Sequence, residues 1–181
     1  MDGGAVGFGG ICEKDINLSI SKYLCDFINL SGVNCVLTRA DDNMLSCDDS
    51  PSNKKRDDLK ARVRFTESFD NPIFISIHQN KFEISKYKGM QVFYSKNNSE
   101  SAALANIIKD NNFKLIDYSN TREIKPAGKE IMVLHNLRSP AVLVECGFLS
   151  NADEAYKLST EEYRKKIAFM LYISIMDYVF L

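Results

Sequence analysis

The stretch from Asn71 to Asn80 constrains the fold of this chain more than any other. It reads NPIFISIHQN, an apolar run that follows a proline and ends in a histidine and two amide side chains. Proline is tolerated at the first position of a strand, and a continuous run of this kind suits a strand covered on both faces. Ligand sites in open α/β sheets lie beyond the carboxyl ends of such strands. The pattern therefore predicts a buried strand that brings His78 to the edge of a sheet.

A second run, from Pro140 to Gly147, repeats this design with a carboxylate, Glu145, where the first has an imidazole. Taken singly, a histidine at a strand end is more often a hydrogen-bonded packing residue, and a glutamate there is more often a solvated charge. Together they indicate a site, because an ionised glutamate after four apolar residues is costly to bury without a cation or a donor. If the two strands are neighbours, His78 and Glu145 share one crevice, where a metal ion would supply the missing charge.

Composition narrows the class of protein. The chain has 181 residues, which suits one domain, and its 23 basic residues balance 24 acidic ones. It has no basic stripe with interleaved aromatic residues, so no nucleic-acid partner is predicted. The five cysteines are odd in number and lack C-x-x-C spacing, which argues against a disulfide framework or a structural zinc knot.

Two features bear on membranes and export. The most apolar stretch, Ile167 to Met176, has ten residues and is too short to span a bilayer. The first residues, Met1 to Gly4, have neither the basic start nor the apolar core of a signal peptide. We therefore expect no transmembrane segment and no export signal in this sequence.

Helical and strand patterns alternate along the chain. A glycine-rich loop at residues 2–12 precedes a helix that opens at Glu13 and closes at Gly32. A long polar excursion follows at 41–58. Further helices are predicted at 57–69, at 99–112, after 151 and at 160–178, and further strands at 34–38, 89–94, 131–134 and 141–145. This order predicts an α/β fold with three layers, in which a mixed, mostly parallel sheet carries helices on both faces.

Five motifs occur in the order seen in zinc-dependent N-acetylmuramoyl-L-alanine amidases. They are DGGAVG at 2–7, EKDINL at 13–18, LTR at 37–39, SIHQN at 76–80 and VECGFLSN at 144–151. The sequence therefore resembles this family over nearly its whole length. It is most similar to the spore-cortex, germination-related branch, through KF at 81–82, GMQVFYS at 89–95 and REIKPA at 122–127.

The resemblance implies a peptidoglycan hydrolase that cleaves the amide between N-acetylmuramic acid and L-alanine of the stem peptide. Carried over by motif, Glu13 and His78 are zinc ligands and Glu145 is the catalytic general acid/base. From its local pattern alone, Glu13 is a first-turn acid favoured by the helix dipole, and the resemblance reverses that interpretation. The implied cofactor is zinc, the implied partners are peptidoglycan and an accessory protein, and the implied location of the full-length parent is extracytoplasmic, in the cell wall or the forespore intermembrane space.

The chain departs from the family pattern at its start. The resemblance places an apolar strand and the family's first zinc histidine before the DGGAVG motif, which here begins at Asp2. Two hypotheses follow. In the first, residues 1–181 are a single amidase catalytic domain, truncated at the N-terminus and lacking the family's first strand. In the second, the chain is a metal-deficient, non-catalytic relative that binds peptidoglycan or a protein partner. The only other histidine, His135, matches no metal position of the family.

Overall fold

A computed structural model describes residues 4–45 and 54–180. After a 3-10 turn at Phe8–Gly10, the helices are α1 (Glu13–Leu30), α2 (Lys54–Thr66), α3 (Glu100–Leu115), α4 (Met132–Asn136), α5 (Ala152–Ser159) and α6 (Glu161–Phe180). The strands are β1 (Phe74–Asn80), β2 (Gln91–Tyr94), β3 (Lys125–Pro126) and β4 (Ala141–Phe148). Asp2 and Cys47, together with the middle of the polar excursion, lie outside the described residues.

The described strands form one open sheet in the order β1-β4-β2-β3. The outer pairs, β1/β4 and β2/β3, are parallel, and β2 runs antiparallel to β4. The prediction of a mixed, mostly parallel sheet is confirmed. The two apolar runs identified in the sequence are β1 and β4, and they are adjacent in the sheet.

Hydrophobic side chains cover both faces of this sheet. On one face Val142 and Val144 of β4 pack in a large cluster with buried residues of α1, α3 and α6. On the other face Leu143 packs with Phe74 in a smaller cluster that includes residues of α4 and, at its margin, α2. Because successive residues of a strand point to opposite faces, β4 is buried on both sides, as its continuous apolar sequence predicted.

Two predicted strands are wrong. Residues 34–38 run extended without joining the sheet, because α1 side chains satisfy part of this backbone: Asn29 Oδ1 accepts from Cys35 N at 2.9 Å, and Cys25 Sγ lies 3.3 Å from Cys35 O. Residues 131–134 lead into α4, where His135 N donates to Ile131 O at 2.9 Å. A run of four apolar residues does not distinguish a strand from a short buried helix.

The predicted helices exist, with shifted boundaries. The second helix ends at Thr66 rather than 69, the third extends to Leu115, and the last extends to Phe180. The short helix after residue 151 is present as α5, and the Asn151 side chain caps it by accepting from Glu154 N at 3.1 Å. None of the described helices has the length and apolarity needed to cross a bilayer.

Candidate active site

Glu13 is placed by the glycine-rich loop that precedes α1. The loop folds back on the first turn of the helix: Glu13 N donates to Ala5 O at 2.8 Å, and Val6 pairs with Cys12 in an antiparallel bridge. Gly4 has a positive φ of 66°, and a Cβ atom there would lie 2.5 Å from Glu13 Oε2. A glycine is therefore required where the loop backbone approaches the carboxylate.

The Glu13 carboxylate accepts four hydrogen bonds. Oε2 accepts from Ala5 N at 2.9 Å, and Oε1 accepts from Asn17 Nδ2 at 3.2 Å and Gln79 N at 3.3 Å. The fourth joins Oε1 to His78 Nδ1 at 2.9 Å. Burial acts to raise the pKa of Glu13, but the hydrogen bonds from His78, Ala5 and Asn17 and the charge of His78 outweigh it and lower the pKa to about 2. Glu13 is therefore an anion fixed in one orientation.

His78 and Glu145 meet because their strands are paired in parallel register. His78 lies directly opposite Glu145, one residue beyond the buried pair formed by Ile77 and Val144. Side chains directly opposite each other point to the same face of a sheet. His78 and Glu145 are therefore neighbours at this end of the sheet, and Glu13 reaches His78 from the start of α1.

Glu145 is the ionisable group of this crevice that lacks a partner. The residue is partly exposed, but its Oε2 atom is buried and accepts no hydrogen bond from any of the residues described. Burial raises the pKa of Glu145 to about 7, since the favourable charge of His78 is opposed by that of Glu13. An unsatisfied buried carboxylate with a pKa near neutrality is typical of a proton-transfer group.

Comparison with known proteins identifies the family of this chain. The family model for N-acetylmuramoyl-L-alanine amidases matches residues 1–177. The chain belongs to the N-acetylmuramoyl-L-alanine amidase family. It is therefore a peptidoglycan hydrolase acting on the bond between N-acetylmuramic acid and L-alanine, as the sequence motifs predicted.

Individual relatives agree with the family assignment. The germination-specific N-acetylmuramoyl-L-alanine amidase of Bacillus subtilis is 32% identical over 179 residues, which are 98% of this chain and 74% of that protein. The CwlD amidase of Clostridioides difficile, solved in complex with the GerS lipoprotein, is 40% identical with a TM-score of 0.90, covering 97% of this chain and 91% of that one. The amidase AmiC2 of Nostoc punctiforme is 28% identical with a TM-score of 0.85, covering 98% and 90%. The resemblance to the germination-related branch is confirmed.

Two side chains near the start of α1 and the end of β1 are of types that bind zinc. Glu13 and His78 supply a carboxylate oxygen and an imidazole nitrogen within 2.9 Å of each other, and both are common zinc ligands. A catalytic zinc site normally has three protein ligands. Within residues 4–45 and 54–180, however, no group of three or more His, Cys, Asp or Glu side chains could hold a metal ion. These two residues therefore fit two positions of such a site.

Other candidate ligands in the amidase sequence do not join this cluster. His135 is exposed in α4, where its backbone oxygen accepts from Asn97 Nδ2 at 2.7 Å. Cys146 is buried, and burial raises the pKa of its thiol well above the ordinary range. Cys12, next to Glu13, makes only a weak sulfur contact of 3.8 Å with Gly10 O. Both environments suit free cysteines that pack as small side chains.

Sequence reasoning missed the residues that orient Glu13. Asn17 Nδ2 donates to Glu13, and its Oδ1 accepts from the buried Gln79 Nε2 at 3.2 Å. Asn17 lies four residues after Glu13, and side chains at this spacing meet on one helix face. That spacing could have identified Asn17, whereas the role of Gln79 depends on the packing of α1 against β1.

The raised pKa of Glu145 predicts that this residue lowers the free energy of unfolding of the metal-free protein by an amount that depends on pH. Below pH 4.5 the carboxyl is protonated whether the chain is folded or unfolded, so the destabilisation is absent. The destabilisation grows as pH rises and is complete above pH 7. There the folded protein buries an ionised carboxylate that would be hydrated in the unfolded chain. A pKa raised from 4.5 to about 7 corresponds to about 3 kcal/mol. Glu145→Gln should therefore stabilise the chelator-treated protein at pH 8 and not at pH 4, as measured by urea unfolding. Equal effects at both pH values would contradict this account.

Proposed function

We propose that this amidase is zinc-dependent, with Glu13 and His78 as two of its protein ligands and Glu145 as the general acid/base. The observation that carries the proposal is the buried Oε2 of Glu145, which has no hydrogen-bond partner among the described residues. Glu145 lies opposite His78 on the neighbouring strand, and His78 is hydrogen-bonded to the ionised Glu13. In this arrangement the Glu13 carboxylate is held charged, whereas Glu145 has a pKa near 7. Two carboxylates with different pKa values are suited to different roles.

Glu13 and His78 are suited to holding the metal because their positions are fixed before it binds. Glu13 is fixed by hydrogen bonds from Asn17 and Gln79 N to Oε1 and from Ala5 N to Oε2, and the bond to Oε2 does not compete with a cation at Oε1. His78 is fixed by its place in β1. When bound, zinc would polarise the amide carbonyl and lower the pKa of an attacking water. The third protein ligand, on this proposal, comes from outside the described residues.

Glu145 would carry the proton in this reaction. In the metal-free protein burial raises its pKa to about 7, so the carboxyl can both take up and give up a proton near neutral pH, as a general acid/base must. The Glu145 carboxylate would accept a proton as water attacks the carbonyl carbon of the lactyl group. The same carboxyl group would then return the proton to the L-alanine nitrogen, which leaves as an amine. No other described residue needs to titrate.

The relatives suggest the setting in which this chain acts. Similarity to a germination-specific amidase supports a role in maturation of the spore cortex, outside the cytoplasm, in the cell wall or the forespore intermembrane space. The solved complex of CwlD with a lipoprotein supports an accessory partner of the same kind for this chain. We infer both from similarity alone.

Metal removal tests the proposal. Treatment of the full-length protein with a chelator, followed by dialysis, should abolish release of stem peptides from purified peptidoglycan, because the amide carbonyl is no longer polarised. Addition of equimolar Zn²⁺ should restore it, with the natural accessory protein present in both arms. Hydrolysis that continues in protein shown by elemental analysis to be metal-free would refute zinc dependence. Absence of hydrolysis in the untreated protein, with zinc and the accessory protein present, would favour the non-catalytic alternative.

A further inference from the structure

Arg122 has an unusual environment close to this site. It is half-buried, its Nε donates to Lys88 O at 2.9 Å, and its guanidinium carbon lies 4.9 Å from the centre of the Phe148 ring. One edge of the guanidinium is thus bonded to backbone and one face is stacked on an aromatic ring. The planar group is thereby held in one orientation before any ligand arrives.

The two terminal nitrogens of Arg122 remain available. In the part of the chain that the structure describes, no carboxylate pairs with Arg122, and neither Nη1 nor Nη2 has a hydrogen-bond partner. Glu154, the nearby buried acid, is already occupied: its oxygens accept from Gly89 N at 2.9 Å and Phe148 N at 2.8 Å. An oriented guanidinium with two free donors is the geometry that binds a carboxylate through two parallel hydrogen bonds.

Arg122 lies at the same end of the sheet as Glu145. Phe148, on which Arg122 stacks, is the last residue of β4 and follows Glu145 by three positions. The strand pairing is irregular here: Glu145 and Phe148 lie opposite His78 and Asn80, which are two residues apart on β1. At a rise of about 3.3 Å per residue, the two positions are separated by about 7 Å along the sheet, which an extended peptide spans with about two residues.

The segment from residue 81 to residue 88 extends this surface. Phe82 and Tyr87 pack edge to face with ring centres 5.3 Å apart, and Tyr87 lies 6.3 Å from the Phe148 ring on which Arg122 stacks. Phe82 is 55% exposed and Tyr87 37% exposed. The segment carries three lysines and one glutamate, so its charge adds to that of Arg122.

We propose that Arg122 forms a subsite for a free carboxylate of the stem peptide, with Phe82 and Tyr87 as the apolar surface beside it. The proposal rests on the peptidoglycan substrate of the proposed function and adds the group by which the peptide is recognised. Peptidoglycan stems carry free carboxylates beyond the L-alanine, and amidation neutralises them. A guanidinium fixed by Lys88 and Phe148 would bind the charged form and lose most of this interaction with the amidated form.

The test uses two synthetic N-acetylmuramoyl-peptides that differ only in whether the stem carboxylate is free or amidated. Calorimetric titration of full-length Glu145→Gln protein avoids turnover. We expect the free carboxylate to bind about 10-fold more tightly than the amide, the size of one charged hydrogen-bonded pair. Arg122→Gln should remove the preference. Arg122→Lys should lose most of it, because an ammonium has no planar pair of donors.

Arg138→Gln is the matched control. Arg138 is exposed and lies before the first residue of β4, at the opposite end of the strand. Arg138→Gln therefore removes the same charge and should leave the preference for the free carboxylate unchanged. Equal binding of both peptides by the parent protein, or a preference that survives Arg122→Gln, would overturn the subsite. Stem-peptide release without discrimination would refute the subsite and leave the amidase function intact. Discrimination without release would support the subsite and count against zinc hydrolysis.

Discussion

Glu145→Gln should lower kcat for stem-peptide release about 10²–10⁴-fold, the contribution typical of a general acid/base. Glutamine fills the same space but neither takes a proton from water nor returns one to the leaving amine. No described hydrogen bond is lost from Oε2, because that atom has no partner among the residues described. The loss should therefore appear in kcat, with the fold and zinc content unchanged.

Steady-state assays on purified peptidoglycan, with zinc content measured in the same samples, check this expectation. Glu162→Gln is the matched control, because Glu162 is an exposed carboxylate in the first turn of α6. It should retain parental activity. A Glu145→Gln protein that keeps kcat within about 10-fold of the parent would remove Glu145 from the role of acid/base.

The second large effect concerns metal affinity. His78→Ala or Glu13→Ala in the full-length protein should weaken zinc binding by more than about 100-fold, beyond the 10–100-fold typical of losing an outer-shell partner. On the proposed assignment, each change removes a direct ligand. Asn17→Ala, which removes hydrogen bonds to Glu13 and from Gln79 but no proposed ligand, should fall within the outer-shell range. Competition with a fluorescent zinc chelator measures all three.

His135→Ala provides the control for the loss of an imidazole. His135 is exposed in α4 and is the chain's only other histidine. The His135→Ala substitution should leave zinc affinity unchanged. If His135→Ala weakened zinc binding while His78→Ala did not, the ligand assignment would be wrong and α4 would become the place to search for the metal.

The strands at the centre of the site were predictable because their sequence signal is local and strong. Two apolar runs ending in polar residues identified β1 and β4, and parallel pairing brings the ends of such runs together. His78 and Glu145 were therefore expected in one crevice, and they are paired in register. The candidate site residues are the polar residues at which each apolar run ends.

Glu13 could not be predicted in the same way. Its neighbours in sequence describe only a first-turn acid, and its role depends on contacts with His78 and Gln79, more than sixty residues away. The motif resemblance supplied that assignment. The wrong strands at 34–38 and 131–134 have a related cause, since short apolar segments adopt the structure that their tertiary partners select. Arg122 was noted only as part of the REIKPA motif, and its orientation could not be predicted because it depends on Lys88 and Phe148.

Mass spectrometry of digested peptidoglycan tests the central claim most directly. Full-length protein, supplied with zinc and with any accessory protein that it requires, is incubated with purified cortex peptidoglycan, and the soluble products are identified by mass. We predict intact stem peptides with a free L-alanine amino group, together with glycan strands that keep muramic acid with a free lactyl carboxylate. Products cut within the glycan or within the stem peptide, or no soluble product, would contradict the assignment of Glu13, His78 and Glu145 to muramoyl-L-alanine cleavage.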